Sequence, residues 1–401
     1  MRKIVINLVG FETIPNIAFI RSIDRNSDTE YIFLTTKQMI DLNKTDSILS
    51  VCNPDIVKKS SVKIIPDNNF NQILSELKDY NFDDESEIFI NLTGGTKIMA
   101  MAVFEYFKPF PNCKFYYSDI RNTDYFENIL NSSDRLIKKD FLTVEEYLKS
   151  YGNENINIDD KPHDKELTFK LFNITDPDLQ TASDFIRYVH EKMSRSRLEL
   201  KGSGKNRKKK RFEIYTNKHF FESFNRENNK KLTADALLKT LSENNFSLEK
   251  EKVLNEDQRK YFNGCWFEEY TYHLLDNFIK EIGGNIIKGA IINRNVEKKA
   301  ENELDICFTY KNRLYTIENK FSIGKESFNN YIYKLQAIRK DLGLTPQAYI
   351  ATMDTKDKID KFKTQHKRLS GYKIGIITKE YFENDQLLID FFRKELNLIK
   401  R

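Results

Sequence analysis

Alternation constrains this chain most. Apolar runs of strand length recur at Ile4–Val9, Tyr31–Leu34, Val62–Ile65, Ile88–Leu92 and Lys114–Tyr117. Helix-length segments such as Asn69–Lys78 and Ile98–Phe107 lie between them. Continuous apolar strands separated by helices predict a mainly parallel sheet covered on both faces, an α/β fold. In such sheets ligands sit at the carboxyl ends of the strands, where strand order reverses.

Composition narrows the class. With 401 residues the chain is long enough for two or three domains. Thirty Phe and 20 Tyr exclude wholesale disorder, and 14 Gly with 8 Pro exclude fibrous material. Cys52, Cys113, Cys265 and Cys307 lie far apart without a CxxC pair. That excludes a zinc ribbon and argues for a reducing compartment, so a cytoplasmic location is expected. No apolar run approaches the ~20 residues that span a bilayer, so no membrane partner is expected. The start, Met1–Val9, meets Glu12 too soon and lacks a small-residue cleavage site. It reads as a buried first strand, not a signal peptide. Net charge is +5, yet between Arg195 and Lys231 there are 13 Lys/Arg against 4 Asp/Glu. The centre of that stretch, Lys201–Arg211, suits a polyanion contact and a solvated loop equally well.

Among the polar loops at strand ends, Asn91-Leu92-Thr93-Gly94-Gly95-Thr96-Lys97 stands first. It follows a strand and opens a helix. Its glycines let the backbone approach a ligand, its threonines offer hydroxyls, and the helix start offers free N–H groups beside Lys97. The spacing is neither a Walker A loop nor the GxGxxG fingerprint. A second loop, Gly10 to Asn16, and a third, Thr35-Thr36, are placed to converge on the same crevice.

These loops and their placement resemble the CRISPR-associated Rossmann-fold sensor domains over roughly residues 1–150. The resemblance implies a homodimer that binds a ring of adenylates, a cyclic oligoadenylate, across its two-fold axis. It implies Thr93, Gly94, Gly95, Thr96 and Lys97 as ligand contacts, with Thr13, Asn16 and Thr35 as weaker ones.

The middle, 151–255, reads as a connector: a polar linker at Gly152–Lys165, helix-like stretches at Ala182–Met193 and Thr233–Asn244, and the basic run. A helical connector and a small winged-helix-like insert both suit it.

Residues 256–401 carry the chemistry. Glu256 to Ile282 has helical period, with Phe267, Thr271, Leu274, Leu275, Phe278 and Ile282 on one face, and Gly283-Gly284 ends it. Asn285–Asn293 reads as a strand. Asn302–Tyr310 and Arg313–Lys320 read as hairpin arms joined by a two-residue turn, Lys311-Asn312. If Tyr310 faces Arg313, Asp305 lies opposite Glu318 and Glu303 opposite Lys320. Period two then puts Glu303, Asp305, Glu318 and Lys320 on one face. Opposed residues have Cβ atoms roughly 4.5–5.5 Å apart, so the two carboxylates would repel unless a divalent cation lay between them. Hard Mg²⁺ or Mn²⁺ suits such oxygens. Downstream, helices and strands alternate to Leu398.

Asp305-x12-Glu318-x-Lys320 on a hairpin, after a helix bearing Glu268-Glu269, resembles the PD-(D/E)XK nuclease superfamily. Its departure is that no Pro precedes Asp305. The resemblance implies Asp305, Glu318 and Glu268 as metal ligands and Asp305, Glu318, Lys320 and Glu268 as catalytic residues. Glu268 is favoured over Glu269 because the Trp266-x-Glu spacing matches sensor-linked nucleases. The five histidines show no ligand spacing, and no Ser or Cys nucleophile motif appears.

Together the two ends resemble the cyclic-oligoadenylate-activated effector nucleases of type III CRISPR antiviral defence. Three domains are expected: a sensor at 1–150, a connector at 151–255 and a nuclease at 256–401. The resemblance implies a homodimer that cleaves DNA, RNA or both with Mn²⁺ or Mg²⁺, with cyclic tetra-adenylate the favoured activator. Two other readings are a ligand-responsive nucleic-acid-binding regulator and an enzyme that degrades the cyclic messenger.

Overall fold

The computed structural model describes residues 2–78, 85–119, 124–153, 155–158, 165–175, 260–293, 302–365 and 374–398. The expected helices Ala182–Met193 and Thr233–Asn244 and the basic run Lys201–Arg211 fall outside them.

The apolar runs at the start of the chain become strands as expected: β1 (Lys3–Leu8), β2 (Thr29–Thr35), β3 (Ser60–Ile64), β4 (Glu87–Asn91) and β5 (Cys113–Tyr117). A hairpin not foreseen from the sequence, β6 (Tyr125–Asn128) and β7 (Asn131–Ile137), extends the sheet. The order is β3-β2-β1-β4-β5-β6-β7. β1 to β5 pair in parallel, and β6 and β7 join antiparallel. Strand order reverses between β1 and β4, the expected place for a ligand. Helices α1 (Ile14–Ser22), α2 (Lys37–Asp41), α3 (Lys44–Leu49), α4 (Pro54–Lys58), α5 (Phe70–Lys78) and α6 (Lys97–Phe107) lie between the parallel strands, and α7 (Val144–Ser150) follows β7. One apolar cluster joins Ile4, Ile6 and Ile90 to α5 and α6 through Leu77 and Phe107. A second holds Val5, Phe33 and Phe89 against Phe19 of α1 and Tyr147 of α7. Both faces of the sheet are covered.

The remaining strands are β8 (Asn155–Ile158), β9 (Asn285–Asn293), β10 (Asn302–Tyr310), β11 (Arg313–Asn319), β12 (Gln347–Ala351) and β13 (Ile374–Ile377). They form a sheet ordered β13-β12-β11-β10-β9-β8. β8 corrects the reading of Gly152–Lys165 as a plain linker. Asn155–Ile158 pairs antiparallel with β9, because an alternating Asn-Ile-Asn-Ile segment satisfies an open edge that only the folded sheet supplies.

The chain divides into two compact units. The first holds residues 1–158, 279–316 and 333–348, and the second holds 159–278, 317–332 and 349–401. The division passes through β11. In the first unit, β9 and β10 add Ala290, Leu304 and Cys307 to the apolar cluster of α1 and α7. The second holds helices α8 (Lys165–Thr175), α11 (Lys356–Gln365) and α12 (Asp385–Glu395) and most of α9 (Trp266–Glu281). Phe267 and Phe382 sit 5.2 Å apart there, and Phe172 stacks on Tyr270 at 3.7 Å. A further helix, α10 (Lys325–Asp341), crosses the division.

The expected helix 256–282 is kinked among the described residues, and its first residues, 256–259, lie outside them. Gly264 takes φ 128° within a wide turn, Tyr261–Cys265, and α9 proper begins at Trp266. Its end follows expectation. Gly283 has φ 79°, its N–H reaches the Lys280 carbonyl, and the Gly284 N–H reaches that of Ile279. This paired bonding satisfies the last carbonyls and is open to glycine in the left-handed region.

Candidate functional site

The crevice at the first sheet is built by close backbone approach. A Cβ on Gly94 would lie 2.0 Å from the Leu8 carbonyl oxygen, so only glycine lets the loop after β4 lie against β1. A Cβ on Gly10 would stand 3.0 Å from the Gly95 nitrogen. The loops after β1 and β4 therefore meet, as expected. Asn91 shapes the second loop by accepting from the Thr93 N–H at 3.0 Å, a local Asx turn. Thr96 caps α6, accepting from the Met99 N–H at 3.2 Å and donating to the Asp67 carbonyl at 2.6 Å.

The expected ligand residues separate into two layers. Gly95, Thr96 and Lys97 are exposed, and Thr93 and Gly94 are half-buried, so the loop presents a surface at the start of an 11-residue helix. Thr13, Asn16 and Thr35 are fully buried. The structure buries their side chains within the fold. Asn16 donates to the Leu8 carbonyl at 3.1 Å and accepts from Asn91 at 3.1 Å, while Thr13 lies 3.4 Å from Ser150. Asn16 supports the crevice, because its amide satisfies the carbonyl of the residue that ends β1 and ties it to Asn91. Asn7 Nδ2 and Thr35 Oγ1 are buried without a partner among the described residues.

The hairpin takes the expected form. Lys311 and Asn312 have φ 47° and 61°, the left-handed pair that a two-residue turn of matching twist requires. Phe308 and Tyr315 stack with centroids 4.6 Å apart, which sets the pairing of the arms. In the first unit Asp305 is buried at 5% exposure. Glu303 is exposed.

In the second unit Glu318 is 3% exposed and pairs with Lys320, Nζ to Oε1 2.9 Å. That contact shows the two on one face, as the period-two reading required. Lys320 Nζ also stands 5.6 Å from the Tyr331 ring centroid, and its backbone N–H binds the Ala351 carbonyl at 2.9 Å.

The alternate residues face α9. Asn319 donates to Thr271 Oγ1 at 2.7 Å, and Phe321 packs against Trp266 and Phe267 at 5.2 and 5.9 Å. The helix that carries Glu268 thus covers the face of β11 opposite to Glu318 and Lys320. Glu268 is half-buried in its first turn. Glu269 is fully buried and accepts from Thr168 Oγ1 at 3.4 Å. Among the described residues no three His, Cys, Asp or Glu side chains gather as a metal cage.

Family models match both ends. A model described as the Card1 CARF domain matches residues 4–147, and one described as the Card1-like endonuclease domain matches 255–386. The chain is a CARF domain joined to a Card1-like endonuclease domain. Two solved structures resemble it over nearly its whole length. Protein VC1899 from Vibrio cholerae superposes with a TM-score of 0.71 at 16% identity, covering 98% of each chain. Can2 from Sulfobacillus thermosulfidooxidans, in complex with cyclic tetra-adenylate, gives 0.64 at 19% identity and 96% of each chain. At such identities the likeness shows the fold alone, a mixed α/β chain with two sheets. No curated protein matches the sequence.

In the CARF domain, sequence reasoning included Asn91 in the loop without giving it a role and missed Ser118. Asn91 ties the loop to Asn16 and to the Pro15 carbonyl, and the Ser118 N–H binds Thr93 Oγ1 at 3.1 Å. A polar residue ending an apolar strand was the available signal for both. No helix among the described residues is long and apolar enough to cross a membrane.

Proposed function

We propose that the chain is a cyclic-oligoadenylate-activated, metal-dependent endonuclease of type III CRISPR antiviral defence, working as a homodimer in the cytoplasm on DNA, RNA or both. One observation carries the reading: a glycine-built loop at the strand-order reversal of a CARF domain, Thr93–Lys97, lies on the same chain as the acid-bearing hairpin of an endonuclease domain. Can2, of similar fold, holds cyclic tetra-adenylate, which favours that ring as activator. The domain reading follows the expected boundaries: sensor 1–150, connector 151–255, nuclease 256–401.

In this reading Thr93, Gly94, Gly95, Thr96 and Lys97 meet the ring, and Thr13, Asn16 and Thr35 hold the loops in place. With Tyr310 facing Arg313 across the two-residue turn, the expected register would set position 305 opposite 318. The donors fit a hard divalent cation, since Asp305 and Glu318 offer buried carboxylate oxygens and Mg²⁺ keeps much of its shell as water. Asp305 and Glu318 would hold Mn²⁺ or Mg²⁺, which when bound lowers the pKa of a water and offsets phosphate charge. Lys320, ion-paired with Glu318, offers its ammonium to the scissile phosphate or the attacking water. Glu268 joins as an auxiliary acid at the start of α9. Gating requires that the ring bind the cutting arrangement more tightly than the resting one.

Cleavage of labelled DNA and RNA with Mn²⁺ and rings of four or six adenylates tests this. Cutting is expected with the ring of four and should fall by about 100-fold or more in Asp305→Ala and Glu318→Gln. Nucleic acid that is retarded but left intact, with Asp305→Ala changing nothing, would replace the nuclease by a binding regulator.

A further inference from the structure

Within the first compact unit, the hairpin that carries Asp305 is fastened to the CARF domain at its turn. Asn312 Oδ1 accepts from the Leu142 N–H at 2.9 Å, and Thr309 Oγ1 donates to the Leu142 carbonyl at 2.7 Å. Both backbone groups of Leu142 are thus held by the hairpin. Lys311 Nζ reaches Asp124 at 2.6 Å, and the Val144 N–H at the start of α7 binds Asn285 Oδ1 of β9 at 2.9 Å.

Between this turn and the ligand loop lies a small cavity lined by Thr93, Ser118, Lys138, Lys311, Asn312 and Arg313, among others. Asn312 is 94% buried by its 6% exposure, and its Nδ2 has no partner among the described residues. Across the cavity Lys138 Nζ donates to Ser118 Oγ at 2.8 Å, and the Ser118 N–H binds Thr93 Oγ1 at 3.1 Å. Thr93 begins the loop assigned to the ring. The arms leaving the turn are stiffened by the Phe308–Tyr315 stack. Asp305 lies seven positions from Asn312 on the chain, about 20 Å at the rise of an extended strand.

We propose that Asn312 is the positioning residue that couples the two functions: a shift of Thr93 on ring binding passes through Ser118 and Lys138 to the clamped turn, and the stiff hairpin carries it to Asp305. The proposal rests on the ring-activated reading above. It needs no new bond chemistry, only a turn held differently in two states. Contiguity alone does not prove coupling, so the test measures coupling itself.

Asn312→Gly keeps the left-handed backbone and removes the amide, whereas Asn312→Asp keeps the acceptor for Leu142. Ring affinity, basal cleavage, ring-stimulated cleavage and hydrogen exchange at residues 308–313 are compared with and without cyclic tetra-adenylate. Asn312→Gly is expected to bind the ring and cut basally as the parent does, yet to lose about tenfold or more of the stimulation, with Asn312→Asp restoring it. In the parent, exchange at the turn should change on ring binding, and in Asn312→Gly it should not. Should Asn312→Gly fail to fold, Lys138→Met at the far wall of the cavity is expected to give the same pattern. Stimulation retained in full by the folded variant overturns the proposal. If the ring binds the parent without stimulating cleavage, the nuclease reading fails, and exchange alone decides the coupling: an unchanged turn overturns it. Absence of ring binding overturns both.

Discussion

Single residues decide whether the crevice exists. Gly94 has no room for a Cβ, since the obstacle is the Leu8 carbonyl oxygen, a backbone atom that cannot turn aside. Gly94→Ala is expected to cost about 1–3 kcal/mol as overpacking and to abolish ring binding, read by thermal melts and calorimetry. A second residue effect concerns Lys138. Burial pushes its ammonium down from 10.5 to about 8, against the opposing pull of Asp124 and Asp119, with Arg313 adding to the depression. Between those values the unfolded chain binds the proton that the folded chain has released. Stability therefore gains from this group as pH rises from about 8 to 10.5. Tyr31 and Cys52, whose pKa values burial raises to about 12 and 11, act in the opposite sense. Their contribution is common to parent and variant, so the difference between the parent and Lys138→Met isolates the lysine. Denaturant unfolding over that range should show the variant lacking this gain; parallel pH profiles would refute the assignment.

At the scale of elements, α9 shows how a helix separates two neighbouring acids. A step of 100° along the helix leaves Glu269 buried beside Thr168 and Tyr261 and Glu268 half-buried. Glu269→Ala is expected to destabilise by about 1–3 kcal/mol, because Thr168 loses an acceptor in a buried site. Glu268→Gln should keep the melting temperature and lower cleavage by about tenfold or less, well short of Glu318→Gln. Equal losses from the two activity variants would show that α9 contributes a full ligand. The element was legible in sequence through its apolar period and its Gly283-Gly284 end. Its start was not, because Gly264 breaks the period with a conformation that no count of apolar residues reveals.

At the scale of the whole molecule, the proposed function assigns sensing and cutting to different residues, Thr93–Lys97 and Asp305, Glu318 and Lys320. Chelation of divalent cations should therefore stop cleavage and leave ring affinity unchanged, measured by calorimetry with EDTA present. Saturation at 100 times the dissociation constant should add about 2.7 kcal/mol to the stability of the folded state, seen as a rise in melting temperature. The alternation of apolar runs in residues 1–120 determined the parallel sheet by itself, since continuous apolar strands require cover on both faces. The Lys311-Asn312 turn likewise determined the hairpin, since both residues take the left-handed conformation that a two-residue turn requires. Only the tertiary structure decided the rest. The edge strand Asn155–Ile158 pairs because β9 is there to receive it, Asn16 is buried where the Leu8 carbonyl and Asn91 bind its amide, and α9 takes the face of Asn319 because aromatic packing with Phe321 puts it there. Each of these depends on a partner far away in the chain, which local pattern cannot encode.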